Sequence, residues 1–100
     1  MKSHRTLTVR QEKAAENELF KAILSLESPQ ELRAFFADLC TPSELEAMTD
    51  RWSVVLPLHQ GTPYREISQQ TGVSVTTIGR VARSLMHGDG GYKLAVERAT

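Results

Sequence analysis

The stretch Thr62-Pro63-Tyr64-Arg65-Glu66-Ile67-Ser68-Gln69-Gln70-Thr71-Gly72-Val73-Ser74-Val75-Thr76-Thr77-Ile78-Gly79-Arg80-Val81-Ala82-Arg83-Ser84-Leu85 decides the fold. Thr62 and Pro63 can open a short helix that runs to about Gln70, with Tyr64 and Ile67 on its inner face. Thr71-Gly72-Val73 reads as a tight turn, where Gly72 can take a positive φ without a Cβ clash. Ser74 can cap a second helix running to about Met86. Ser68 is small and lets the helices approach, and Val73 plugs the space beneath the turn. Ile78, Val81 three residues on, and Leu85 four further face back toward the first helix. Two short helices crossing around so small a core have the spacing of a helix-turn-helix over residues 62–86, whose second helix enters the DNA major groove. Thr71 departs from that pattern, because an apolar residue more often stands there.

The outward face of the second helix carries the functional clue. Ser74, Val75, Thr76 and Thr77 cluster at its start, followed by Gly79, Arg80 and Arg83. Hydroxyl and methyl groups of this size can lie against base edges, and a valine or threonine methyl can touch that of thymine. Free N–H groups at a helix start can bind a phosphate. Arg65, Arg80 and Arg83 are candidates for phosphate or guanine contacts. The same geometry also serves three-helix packing units that bind no DNA. The lack of any acid on this face favours the DNA reading.

Upstream, apolar residues Ala15, Leu19, Phe20, Ile23, Leu24 and Leu26 recur at helical spacing from about Glu12 to Glu27. Ser28-Pro29-Gln30-Glu31 is a capping box that starts a second helix carrying Leu32, Phe35, Phe36 and Leu39. Thr41-Pro42-Ser43-Glu44 repeats the device and starts a third, with Leu45, Met48, Trp52, Val55 and Leu56. Pro57 should kink or end it, since an interior proline loses one hydrogen bond and clashes with the carbonyl of Ser53. Downstream, Gly88-Asp89-Gly90-Gly91 is a loop, and Tyr92 to Arg98 can form a last short helix. No strand alternation occurs. The expectation is an all-α chain: a flexible basic arm at residues 1–10 and one helical domain at 11–100.

Composition bounds the function classes. One hundred residues make one domain. A chain of that length buries only about 60 to 65% of its unfolded surface, so a second copy is one common remedy. The net charge of zero is unevenly spread: +3 over residues 1–10 (Lys2, Arg5, Arg10), −6 over 11–50 and +3 over 51–100. A polyanion is repelled by the middle and attracted by the ends. Cys40 is the single cysteine, which fits a reducing cytoplasm. His4, His59 and His87 lack metal-site spacing, no apolar run is long enough to span a membrane, and the start lacks the apolar stretch of a signal peptide. No nucleophile–base set, phosphate loop or carboxylate pair points to an enzyme.

Several of these segments together resemble the Trp repressor superfamily, and within it the short Trp-repressor-like proteins of bacteria. They are Thr41-Pro-Ser-Glu44, Asp50-Arg51-Trp52, Tyr64-Arg65-Glu66-Ile67, Thr77-Ile78-Gly79-Arg80 and Gly90-Gly91-Tyr92-Lys93, within roughly residues 15–98. The resemblance implies a six-helix subunit and an intertwined homodimer whose first three helices interlock. It also implies two helix-turn-helix heads about one DNA turn apart on double-stranded DNA. The residues agree on one point: Phe20, Phe35 and Phe36 are more apolar bulk than two thin helices hide within one chain. Packing inside the chain is the alternative.

In the tryptophan-sensing member of that family two arginines sandwich the indole, and a threonine and a serine hold the amino-acid head. The resemblance carries these roles to Arg51, Arg80, Thr41 and Ser84. The sensor has a glycine after its second arginine, where this chain has Val81. A valine fills the hole the glycine leaves, and overfilling such a site costs roughly 1 to 3 kcal/mol. The expectation is a sequence-specific transcriptional regulator with weak or no L-tryptophan binding and no other cofactor. The alternatives are a tryptophan-sensing aporepressor and a helical protein-interaction module without DNA binding. Arg51 could instead pair with Glu44 or Glu46, and Arg80 with a phosphate.

Overall fold

A computed structural model describes residues 6–100. They form seven helices: α1 (Val9–Leu24), α2 (Pro29–Leu39), α3 (Pro42–Ser53), α4 (Val55–His59), α5 (Tyr64–Thr71), α6 (Val75–His87) and α7 (Gly91–Ala99). No strand occurs among the described residues. The chain divides into two compact units between Leu39 and Cys40.

In the first unit, Thr8 caps α1. Its hydroxyl accepts from the Gln11 N–H at 3.1 Å, and the Gln11 side-chain oxygen accepts from the Thr8 N–H at 2.9 Å. This reciprocal box satisfies two otherwise orphaned donors. It starts the helix at Val9 rather than at Glu12, so Arg10 of the expected arm lies in the first helical turn. Lys2 and Arg5 lie outside the described residues. Ser28 caps α2 by accepting from the Glu31 N–H at 3.1 Å. Glu31 reaches past the cap and accepts from the Glu27 N–H at 2.8 Å. No residue of α1 or α2 is buried, and Phe20 and Leu24 are 49% and 83% exposed. Phe35 and Phe36 meet edge to face, with ring centres 5.5 Å apart.

The second unit holds the core. Thr41 and Glu44 close a capping box at the start of α3, with bonds of 3.1 and 2.8 Å. The helix ends at Ser53, the residue whose carbonyl Pro57 can neither donate to nor approach. Val54 (φ −98°, ψ −6°) joins it to the short α4. The expected six-helix subunit therefore has seven helical segments, because the long third helix is broken. Val54, Val55, Ile67, Val73, Ile78, Val81 and Val96 form one buried apolar cluster, with Leu56, Leu58, Leu85 and Tyr92 packed against it. Each fully buried valine or isoleucine stabilises the unit by roughly 1.5 to 3 kcal/mol relative to exposure. Among the described residues no buried side-chain nitrogen or oxygen lacks a partner. No helix there is long and apolar enough to cross a membrane.

Candidate nucleic-acid interface

The segment between α5 and α6 is fixed by three local devices. Gly72 has φ +77°, a left-handed conformation that ends α5 with no side chain to clash. Thr71 bridges the turn: its Oγ1 donates to the Ile67 carbonyl at 2.7 Å and accepts from the Val73 N–H at 3.1 Å. Ser74 caps α6 by accepting from the Thr77 N–H at 3.2 Å, and its hydroxyl donates to Thr77 Oγ1 at 3.1 Å. Beneath the turn, Ile67 from α5, Val73, and Ile78 and Val81 from α6 are buried together. The small shared core read from the sequence is the core found.

That core fixes which side of α6 meets solvent. Ser74, Val75, Thr76, Arg80 and Arg83 are exposed, and Thr77 and Gly79 are half-buried. Arg65 is exposed on α5. None of the three arginines takes part in an ion pair or hydrogen bond among the described residues. The first turn of α6 has no acid. Glu66, beside Arg65, has its carboxylate engaged by the Gln70 side-chain amide at 3.3 Å. The outcome is a surface with hydroxyls and methyls at its start and free guanidinium groups beyond them.

Tyr64 is not inward as expected. It is 42% exposed, and its ring edge lies 4.0 Å from where a Cβ on Gly79 would stand. At the first position of α5 its ring edge stands beside Gly79 of α6 while much of the ring meets solvent. The helical spacing gave Tyr64 and Ile67 the same face, but it could not show that a ring at a helix end swings out toward a glycine.

Residues 14–100 match the family described as Trp repressor protein. The chain belongs to that family. YerC of Bacillus subtilis (strain 168) is 40% identical over 82 residues, which cover 82% of this chain and 79% of the relative. The crystal structure of a Trp repressor candidate from Staphylococcus aureus superposes with a TM-score of 0.83 at 41% identity, covering 92% of this chain and 95% of that one. A TrpR-like protein from Eubacterium eligens gives a TM-score of 0.82 at 41% identity, over 86% and 89% of the two chains.

Within this Trp repressor family member, the four residues singled out for a ligand are differently occupied. The Thr41 hydroxyl is engaged as the cap of α3. Arg51 is half-buried and pairs with neither Glu44 nor Glu46. Arg80 is exposed. Ser84 lines a cleft of about 390 Å³ with Gly88, Asp89, Gly91 and Tyr92, and Thr41, Arg51 and Arg80 are not among its walls. Val81 is 1% exposed, in contact with the apolar cluster. A Cβ on Gly88 would run into the carbonyl of Ser84, so the repressor-like chain leaves α6 at a residue that only glycine fits. Among the described residues no group of His, Cys, Asp or Glu could hold a metal ion.

Proposed function

We propose that this chain is a sequence-specific DNA-binding transcriptional regulator, active as a homodimer in the cytoplasm and indifferent to tryptophan. Its DNA-reading head is the helix-turn-helix of residues 62–86 within a domain of residues 11–100. The observation that carries this reading is the outward side of α6. Ser74, Val75, Thr76 and Thr77 open the helix, and Arg80, Arg83 and nearby Arg65 extend unpaired into solvent. Guanidinium groups without acidic partners suit phosphate contacts, which set register and orientation. The short hydroxyls and methyls at the start of the helix allow close approach to a groove.

Two further observations support the finer parts. Among the described residues of the first unit no large apolar side chain is fully buried: Phe35 and Phe36 are half-buried, and Phe20, Leu24 and Leu39 are exposed. Exposed apolar surface on that scale marks an interaction site, and a second copy of the same unit can cover it. Val81 occupies core volume where the tryptophan sensor has a glycine, so indole and valine compete for one space.

The test is capture of genomic fragments by the purified full chain, followed by sequencing. The expected result is an enriched two-fold-symmetric motif whose halves lie about one helical turn apart. No enrichment over a Arg80→Ala/Arg83→Ala control contradicts the proposal.

A further inference from the structure

The first turn of α6 offers an unusual set of groups to a groove. Val75 is 51% exposed. Thr76 is exposed, and its hydroxyl has no partner among the described residues. Ser74 and Thr77 are occupied with each other through two hydrogen bonds. From Ser74 to Gly79 there is no amide, carboxylate or basic side chain. The first guanidinium further along α6, on Arg80, sits five residues beyond Val75, roughly 7.5 Å along the helix axis. The paired donors and acceptors that read guanine or adenine from a helix start are therefore missing. What the first turn exposes beside these hydroxyls is branched methyl, on Val75 and Thr76, and the base-edge feature a methyl recognises is the C5-methyl of thymine.

We propose that Val75, assisted by the Thr76 methyl, is the specificity-determining contact, and that it reads the C5-methyl group of thymine in the major groove. This rests on the DNA-binding reading above and deepens it. The arginines then supply affinity without preference among sequences, and the methyl pair supplies the preference. Ser74 and Thr77 are positioning residues that fix the first turn.

The experiment uses the full chain and a random duplex pool, from which the tightest-bound duplex is selected and resynthesised. Each thymidine in the bound region is then replaced by deoxyuridine, which removes one methyl and leaves every hydrogen-bonding group in place. Withdrawing one buried methyl from contact is worth roughly 4-fold in affinity. At one or two thymines per half-site the loss should therefore be about 3- to 5-fold, and about 10- to 20-fold when both half-sites are changed. Val75→Ala should lose most of the preference for thymine over uracil, and Val75→Ala/Thr76→Ser should bind the two duplexes alike, both keeping their salt dependence, and the exposed positions leave the core intact. An Arg83→Ala variant should bind both duplexes more weakly and keep the thymine preference. Equal binding of thymine and uracil duplexes by the unaltered chain at every position overturns the inference and leaves DNA binding standing. A pool from which no duplex is retained overturns the DNA reading, and this inference with it.

Discussion

Thr71 Oγ1 donates to the carbonyl of Ile67 at 2.7 Å, and so fastens the end of α5 to the turn that launches α6. The same oxygen accepts from the Val73 N–H. A tight turn leaves N–H groups without helical partners, and the hydroxyl supplies one to Val73. At the other end it adds a side-chain bond to a carbonyl within the last turn of α5. An apolar residue at this position packs but cannot make either bond.

Thr71→Val keeps the volume and removes both bonds. It should lower stability by about 1 to 2 kcal/mol, because the Val73 N–H is left beside the core without a partner. Urea unfolding followed by far-UV circular dichroism measures the change. A variant as stable as the parent would show that packing alone holds the turn.

Val81 is a core residue first. Val81→Ala should cost about 2 kcal/mol, the lost burial plus an unfilled hole. Val81→Gly costs more, since glycine also weakens a helix interior by about 1 kcal/mol. The melting temperature of the parent should not move with millimolar tryptophan. That of Val81→Gly should rise with it, since a ligand that binds only the folded state stabilises it. A rise in the parent, or micromolar affinity by calorimetry, contradicts the plugged pocket.

Gly79 separates stability from function. A Cβ there meets only the Tyr64 ring edge, at an ordinary contact distance of 4.0 Å. Gly79→Ala should therefore stabilise the unit by about 0.5 to 1 kcal/mol through helix propensity. It should at the same time weaken DNA binding by adding a methyl to the approaching surface. Thermal unfolding and anisotropy on one preparation give both numbers. Tighter DNA binding would show that this surface does not meet the duplex.

The first unit should be stable only with a partner copy. Sedimentation equilibrium should give a dimer at micromolar concentration, with a melting temperature that rises with protein concentration. Phe20→Glu, at a residue half-exposed in the single chain, should shift the equilibrium toward monomer. A concentration-independent monomer contradicts the homodimer.

Most of the helix starts were legible because their signals are local. Ser28 and Thr41 are each followed by proline and, two residues on, glutamate, and both cap their helices, but the reciprocal box closes only at Thr41, because Glu31 accepts from Glu27 instead of Ser28. Ile67, Val73, Ile78 and Val81 were legible as a core because periodicity assigns faces. Thr8 with Gln11 was missed, since an arm rich in basic residues hid the same device in a glutamine form. Val54 was missed because it lies at the break Pro57 imposes, where helical spacing no longer says which way a side chain faces. Tyr64 was misread because a helix end is free to turn an aromatic ring outward. On the candidate interface, the outward residues of α6 followed directly from the buried ones. The double bond made by Thr71 did not, because it depends on the backbone path through Gly72.

The most direct measurement is a salt titration of the full chain on a selected duplex, read by fluorescence anisotropy. Arg65, Arg80 and Arg83 on two reading heads would make about 6 phosphate contacts, so log affinity should fall against log salt with a slope of about −5. Arg80→Ala should reduce its magnitude by about 2, one phosphate on each head. A slope near zero, or one unchanged by the loss of Arg80, contradicts the assignment of this surface to DNA.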